Sequence, residues 1–114
     1  GAGNMASTVE DLLVWQHSIV DDRLLSPDSR RMMTTRGKLN NGEEFNYGLG
    51  LVLQKFEGRE VVRHGGGILG FRADIAHYPD SGYTIAVLAN CDNVNASGIS
   101  NQIARLLLVE NEDD

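Results

Sequence analysis

Cysteine is nearly missing from this chain. Its one cysteine, Cys91, excludes an internal disulfide. A lone cysteine serves as a nucleophile only beside a base, and more often it is a small buried hydrophobe, the reading preferred here. Positive charge is also in short supply. Ten Lys and Arg face sixteen Asp and Glu, for a net charge of −6 and a pI of about 4.9. No basic patch stands out, which excludes a nucleic-acid partner on electrostatic grounds. The three histidines, His17, His64 and His77, lack the spacing of a metal-ligand set, so no metal and no cofactor is expected. No leader pattern and no apolar run of about 20 residues occurs, so nothing in this chain reads as a membrane span. Localisation stays open.

The remaining composition is that of a globular protein, with 41% hydrophobic and 23% charged residues. A chain of 114 residues makes one small domain. Folding at this size buries roughly two-thirds of the surface that the unfolded chain exposes.

Helix signals come first. Ser7-Thr8-Val9-Glu10 reads as a capping box, a hydroxyl followed three residues later by Glu. Val9, Leu12, Leu13, Ile19 and Val20 then follow helical spacing, with Trp15 off the stripe and Asp21-Asp22 as the stop. Ser26-Pro27 starts a second helix that runs through Met32 and Met33 to about Thr35. Gly37 to Asn46 is polar, with an Asn41-Gly42 turn.

From Tyr47 the period changes. Leu49 to Phe56 reads as a strand, Glu57-Gly58-Arg59 as a tight turn and Glu60 to His64 as a second strand, interrupted by Gly65-Gly66-Gly67. Phe71 to Tyr78 alternates, with Phe71, Ala73 and Ile75 on one face and Arg72 and Asp74 on the other; a pair or a cleft lining is open to these two, and a solvated face is the preferred reading. Pro79-Asp80-Ser81-Gly82 turns the chain into Tyr83 to Ala89, an apolar run covered on both faces. Ile99, Ile103, Leu106 and Leu107 mark a last amphipathic helix. Short turns imply antiparallel neighbours. The expected fold is α+β, an antiparallel sheet flanked by helices. Residues 1–46 form a helical segment, 47–90 the strands, 91–109 the C-terminal helix and 110–114 an acidic, solvated tail.

Gly65-Gly66-Gly67-Ile68-Leu69-Gly70 matches Gly-x-Gly-x-x-Gly, but a dinucleotide site needs a helix after the glycines and a strand follows here. His64-Gly65-Gly66-Gly67 resembles the oxyanion motif of lipases, whose fold needs a Gly-x-Ser-x-Gly elbow that this chain lacks.

Five segments in order carry a third resemblance. These are Gly3-Asn4-Met5-Ala6-Ser7-Thr8-Val9-Glu10-Asp11-Leu12, Leu25-Ser26-Pro27, Tyr47-Gly48-Leu49-Gly50-Leu51, His64 through Phe71, and Pro79-Asp80-Ser81-Gly82-Tyr83 with Val87-Leu88-Ala89-Asn90. Together they resemble the C-terminal part of the serine β-lactamase-like family, the penicillin-recognising hydrolases that include class C β-lactamases, D-aminopeptidases and esterases. The resemblance implies a partial β-lactamase/transpeptidase-like fold.

It also implies roles. His64, Gly65 and Gly66 occupy the third motif, Lys-Thr-Gly or His-x-Gly, on the strand bordering the active site. Histidine in first place resembles the D-aminopeptidase and esterase branches more than typical β-lactamases. His64, Gly66 and Gly67 are the expected catalytic positions, with the Gly67 N–H as an oxyanion donor, and Gly65 and Asn90 the substrate-binding ones. Taken alone, His64 is more often structural, but the glycines after it and the resemblance reverse that order. His17 and His77 read as structural.

The family's nucleophile pair, Ser-x-x-Lys, is not in these residues: the only lysines are Lys38 and Lys55, preceded three places earlier by Thr35 and Val52. No Tyr or Ser is followed two places on by Asn, the second motif. The expectation is therefore a C-terminal fragment of an acyl-transfer hydrolase, inactive alone. Its partners would be the upstream half of the same protein and a small-molecule or peptide-like substrate. The alternative is a non-catalytic module that binds a peptide or partner at a sheet edge and self-associates.

Overall fold

The computed structural model describes residues 2–109. The acidic tail read at 110–114 lies outside the described residues. Helix α1 spans Val9–Val20 and α2 Pro27–Met33. A small hairpin of two short strands follows, β1 (Gly37–Lys38) against β2 (Glu44–Phe45). The main sheet consists of β3 (Val52–Phe56), β4 (Arg59–Ile68), β5 (Phe71–Tyr78) and β6 (Tyr83–Ala89). Helix α3 (Ala96–Ala104) closes the fold and runs on as a π-helical stretch over Arg105–Val109.

Capping sets the helix ends. Thr8, not Ser7, is the N-cap of α1: its hydroxyl accepts the Asp11 N–H at 3.1 Å. The box is shifted by one because helical geometry begins at Val9, which makes Asp11 the third helical residue. Asp21 ends the helix, as expected. Ser26 caps α2 with Pro27 in first place. Arg30 joins the two helices, its Nη1 donating to Val20 O at 3.2 Å and its Nε standing 3.0 Å from Asp22 Oδ1.

The sheet is an antiparallel meander in the order β3-β4-β5-β6. Glu57 and Gly58 join β3 to β4 with both φ angles positive, 49° and 81°. That is the geometry of a two-residue hairpin whose twist matches its strands, and Gly58 adopts it without penalty. The expected interruption at Gly65-Gly66-Gly67 does not occur. Strand β4 runs through all three glycines because each pairs with β5, Gly65 with Asp74, Gly66 with Ala73 and Gly67 with Arg72. Glycine weakens a strand by roughly 0.5–1 kcal/mol per residue, and a full ladder to a neighbour overrides that.

Strand register divides the side chains between two faces. Arg63, Ala76 and Ile85 are mutual partners across β4, β5 and β6, and so share one face. There Val61, Ala76, Tyr78 and Ile85 pack with Ala104 and Leu108 into the core. Each large apolar side chain fully buried here contributes about 1.5–3 kcal/mol. The opposite face carries Val62, His64, Ile75 and His77, and α1 packs on the sheet at β6 with Ile19 buried. The sheet thus lies between helices, the α+β arrangement expected. Trp15, read as off the stripe, is half exposed at 53%.

Candidate functional site

Among the described residues, the glycine-bearing half of β4 has a strand neighbour on one side only. Strand β3 stops pairing at Val52 with Arg63. From His64 to Ile68 the strand pairs with β5 alone, and all five residues are exposed. His64, Gly65, Gly66 and Gly67 therefore stand on a bare edge.

These glycines are not required by their surroundings. A Cβ added at Gly65 would lie 3.6 Å from Ala73 O, and one at Gly66 3.8 Å from Ala73 Cβ, both ordinary contacts. Neither glycine has a positive φ. At Gly67 the nearest atom is Arg72 Cδ at 3.3 Å, on a flexible side chain. Gly48 is the opposite case. A Cβ there would sit 2.0 Å from the carbonyl oxygen of Met33. Only glycine permits that approach, which seats the segment before β3 on the end of α2, where Leu49 N–H donates to Met33 O at 3.1 Å.

Gly48 thereby fixes Tyr47. Tyr47 N–H donates to Phe45 O and Tyr47 O accepts from Gly37 N–H, each at 2.9 Å. Its side chain meets His64: Tyr47 Oη is 3.0 Å from His64 Nε2, and the rings stand edge to face with centroids 5.9 Å apart. His64 Nδ1 lies 2.5 Å from Gly65 O.

A cleft of about 680 Å³, mostly apolar, opens between the Gly3–Ser7 segment and the sheet, and Gly66, Gly67 and Asn90 line it together. Gly65 lines a neighbouring hollow of about 470 Å³ with Gly66 and residues 93–97. His64 lines neither. The structure thus brings Gly66, Gly67 and Asn90 to one cleft and sets His64 beside it with Tyr47.

Asp74 is a correction. It is 2% exposed, not on a solvated face, and its Oδ2 accepts from Arg63 Nη2 at 2.8 Å. Arg63 also donates from Nη1 to Asn101 Oδ1 at 2.9 Å. Carboxylate and guanidinium are tolerated out of water because they are paired and hydrogen-bonded. Arg72 stays at the surface, where its Nη1 donates to Ile68 O and Phe71 O at 2.7 and 2.8 Å and lies 3.4 Å from Asp92.

Two titratable groups of strand β5 are displaced. Burial pushes the His77 imidazole below its ordinary value, and His17 adds to the effect. Burial raises the Tyr78 phenol, with Arg63 opposing and Asp74 reinforcing. His77 Nδ1 is 2.8 Å from Thr84 Oγ1, which fits its structural reading. Cys91 is half-buried, short of the full burial expected. No metal-binding cluster and no helix long and apolar enough to cross a membrane occurs among the described residues.

The family model described as Beta-lactamase matches residues 1–110. This chain belongs to the Beta-lactamase family. Its relatives include a protein named D-aminopeptidase from Gluconobacter oxydans (strain 621H), 29% identical over 91 residues, 79% of this chain and 17% of that protein. Another is Penicillin-binding protein 4* of Bacillus subtilis (strain 168), 33% identical over 91 residues, 79% of this chain and 20% of the relative. Among solved structures, the octameric penicillin-binding protein homologue from Pyrococcus abyssi superposes with a TM-score of 0.77 at 27% identity, over 90% of this chain and 24% of the other. The chain spans about a fifth of the length of the curated relatives it matches.

Within this Beta-lactamase family member, sequence reading missed two features beside the candidate site. Tyr47 lies 17 positions from its partner His64, and no local signal ties them. The Arg63–Asp74 pair crosses two strands, and only the register reveals it.

Proposed function

We propose that this chain supplies the third-motif strand of a serine acyl-transfer hydrolase that acts on an ester, amide or lactam carbonyl. The observation that carries this reading is the run Gly65-Gly66-Gly67 on a one-sided strand, where the chain's own packing tolerates a Cβ. Three residues without side chains keep the edge low for a group approaching from outside. A carbonyl laid along that edge meets backbone N–H groups able to hold the developing oxyanion.

Ladder alternation supports Gly67 as the donor. Ile68 and Phe71 close a two-residue hairpin, and a closing pair of that kind is hydrogen-bonded. Alternation from there turns the backbone groups of Gly67 and Gly65 away from β5, towards the free edge. Gly65 O fits this direction, since it is the carbonyl beside His64 Nδ1. His64 is the polar group at the start of the motif, and Asn90 contacts substrate from the far side of the cleft it shares with Gly66 and Gly67.

The attacking serine and its lysine come from an upstream segment of the same protein, which makes this chain inactive alone. The serine attacks the carbonyl, the neighbouring base passes the serine's proton to the departing alcohol or amine as the scissile bond breaks, and water then hydrolyses the acyl-enzyme. No cofactor enters the reaction. The non-catalytic binding module is the weaker reading, because it leaves the unforced glycine run without a role.

The test is hydrolysis of a chromogenic ester and a chromogenic cephalosporin, by this chain alone and combined with the upstream segment. Activity only in the combination, lost in His64→Ala, is the expected result. Turnover by the chain alone would overturn the placing of the nucleophile upstream. Silence in both, with the two parts shown to associate, would favour the binding module.

A further inference from the structure

We infer that Tyr47 is a positioning residue for His64, and that together with Gly65 O it holds the neutral imidazole in its Nδ1-protonated tautomer. Two hydrogen bonds decide this. His64 Nδ1 is 2.5 Å from Gly65 O, and a carbonyl oxygen only accepts, so the ring proton sits on Nδ1. Nε2 then carries the lone pair. At 3.0 Å from it, the Tyr47 hydroxyl is the donor. Which ring nitrogen is protonated follows from the bond the other one makes. The edge-to-face contact, with planes inclined at 70°, fixes the ring's orientation as well.

The support behind Tyr47 is rigid. Its backbone is bonded on both sides, to Phe45 and to Gly37, and the next residue is the glycine pressed on Met33 O. Tyr47 thereby ties the small β1–β2 hairpin and the end of α2 to the glycine strand. In this state neutral His64 offers no free basic nitrogen. Nε2 is engaged by Tyr47, and Nδ1 is turned back onto the strand. The assignment of His64 to the site rests on the proposed hydrolase function, whereas the tautomer does not depend on it.

The experiment is two-bond ¹H–¹⁵N correlation NMR of the ¹⁵N-histidine-labelled protein, recorded with the imidazole neutral. For His64 the expected pattern is a pyrrole-type Nδ1 and a pyridine-type Nε2. A pyrrole-type Nε2 in the unaltered protein overturns the inference, and this reading needs no variant to fold. In Tyr47→Phe the ring contact is kept and the donor removed. Gly65 O still holds the proton on Nδ1, so the expected result is a downfield shift of the His64 Nε2 resonance, further towards the unbonded pyridine limit, while other backbone cross-peaks stay in place. An unchanged His64 Nε2 resonance in that variant overturns the role of Tyr47. Loss of the hydrolase activity test with the NMR pattern intact would sink the proposed function alone.

Discussion

Arg63 Nη2 stands 2.8 Å from Asp74 Oδ2 with both side chains out of water, and the pair flanks the candidate site, since Arg63 precedes His64 and Asp74 faces Gly65 across the ladder. The glycine edge offers no side-chain packing of its own, so this pair, with Asn101 behind it, helps anchor that part of β4 to β5 and α3.

Asp74→Ala leaves a buried guanidinium without its partner. The expected loss is about 3–5 kcal/mol, read by urea unfolding. The double variant Arg63→Met, Asp74→Leu removes both charges and should recover most of that loss. A single variant within 1 kcal/mol of the parent, on the order of an exposed pair, would rule out the anchoring role.

Gly48→Ala places a methyl group against Met33 O, where the built Cβ is 2.0 Å away. The backbone must shift, at a cost of roughly 1–3 kcal/mol. The shift also moves Tyr47, so the His64 ring resonances should change along with the unfolding midpoint. Alanine at Gly66 has room and should instead raise stability by roughly 0.5–1 kcal/mol.

His77 links stability to pH. Burial lowers its folded pKa below the ordinary histidine value of 6.5, so the unfolded state binds the proton more readily. Its stabilising contribution is whole above that unfolded value and fades as the pH falls from there through the folded one. The melting temperature should therefore drop as the pH falls below about 6.5. In His77→Gln the drop should be smaller. An equal drop in both proteins would assign it to other groups.

Thr8→Ala removes the N-cap hydroxyl of α1 and should cost about 1 kcal/mol. Ser7→Ala, one residue earlier, should cost a few tenths at most, because Ser7 Oγ donates to Thr8 O and holds no helix amide. Thermal unfolding of the two variants separates the two cap positions, and a larger loss at Ser7 would reverse the assignment.

Much of the fold was legible because local chemistry marks its own boundaries. Ser26-Pro27 starts α2 as read, and Phe71–Tyr78 and Tyr83–Ala89 form strands with the expected bounds. The glycine run misled, since its weak strand propensity is visible in sequence and the β5 ladder that overrules it is not. The alternation of β5 holds, but the face that carries Asp74 is covered rather than solvated, and polarity alone does not tell which residue is paired inside. Of the candidate site, His64 and its glycines were found from their motif, whereas Tyr47 becomes a neighbour of His64 only once β3 and β4 have paired.

Strand order in the main sheet equals chain order. Every ladder in it therefore closes a short loop, and loop-closure entropy is small for each. Local pairings of this kind form faster than distant ones. The glycine edge of β4 is drawn between two hairpins that each zip from their own turn, Glu57-Gly58 on one side and Leu69-Gly70 on the other. Its pairing is thus written into neighbouring residues, and it should emerge early in folding, ahead of the docking of α1 and α3.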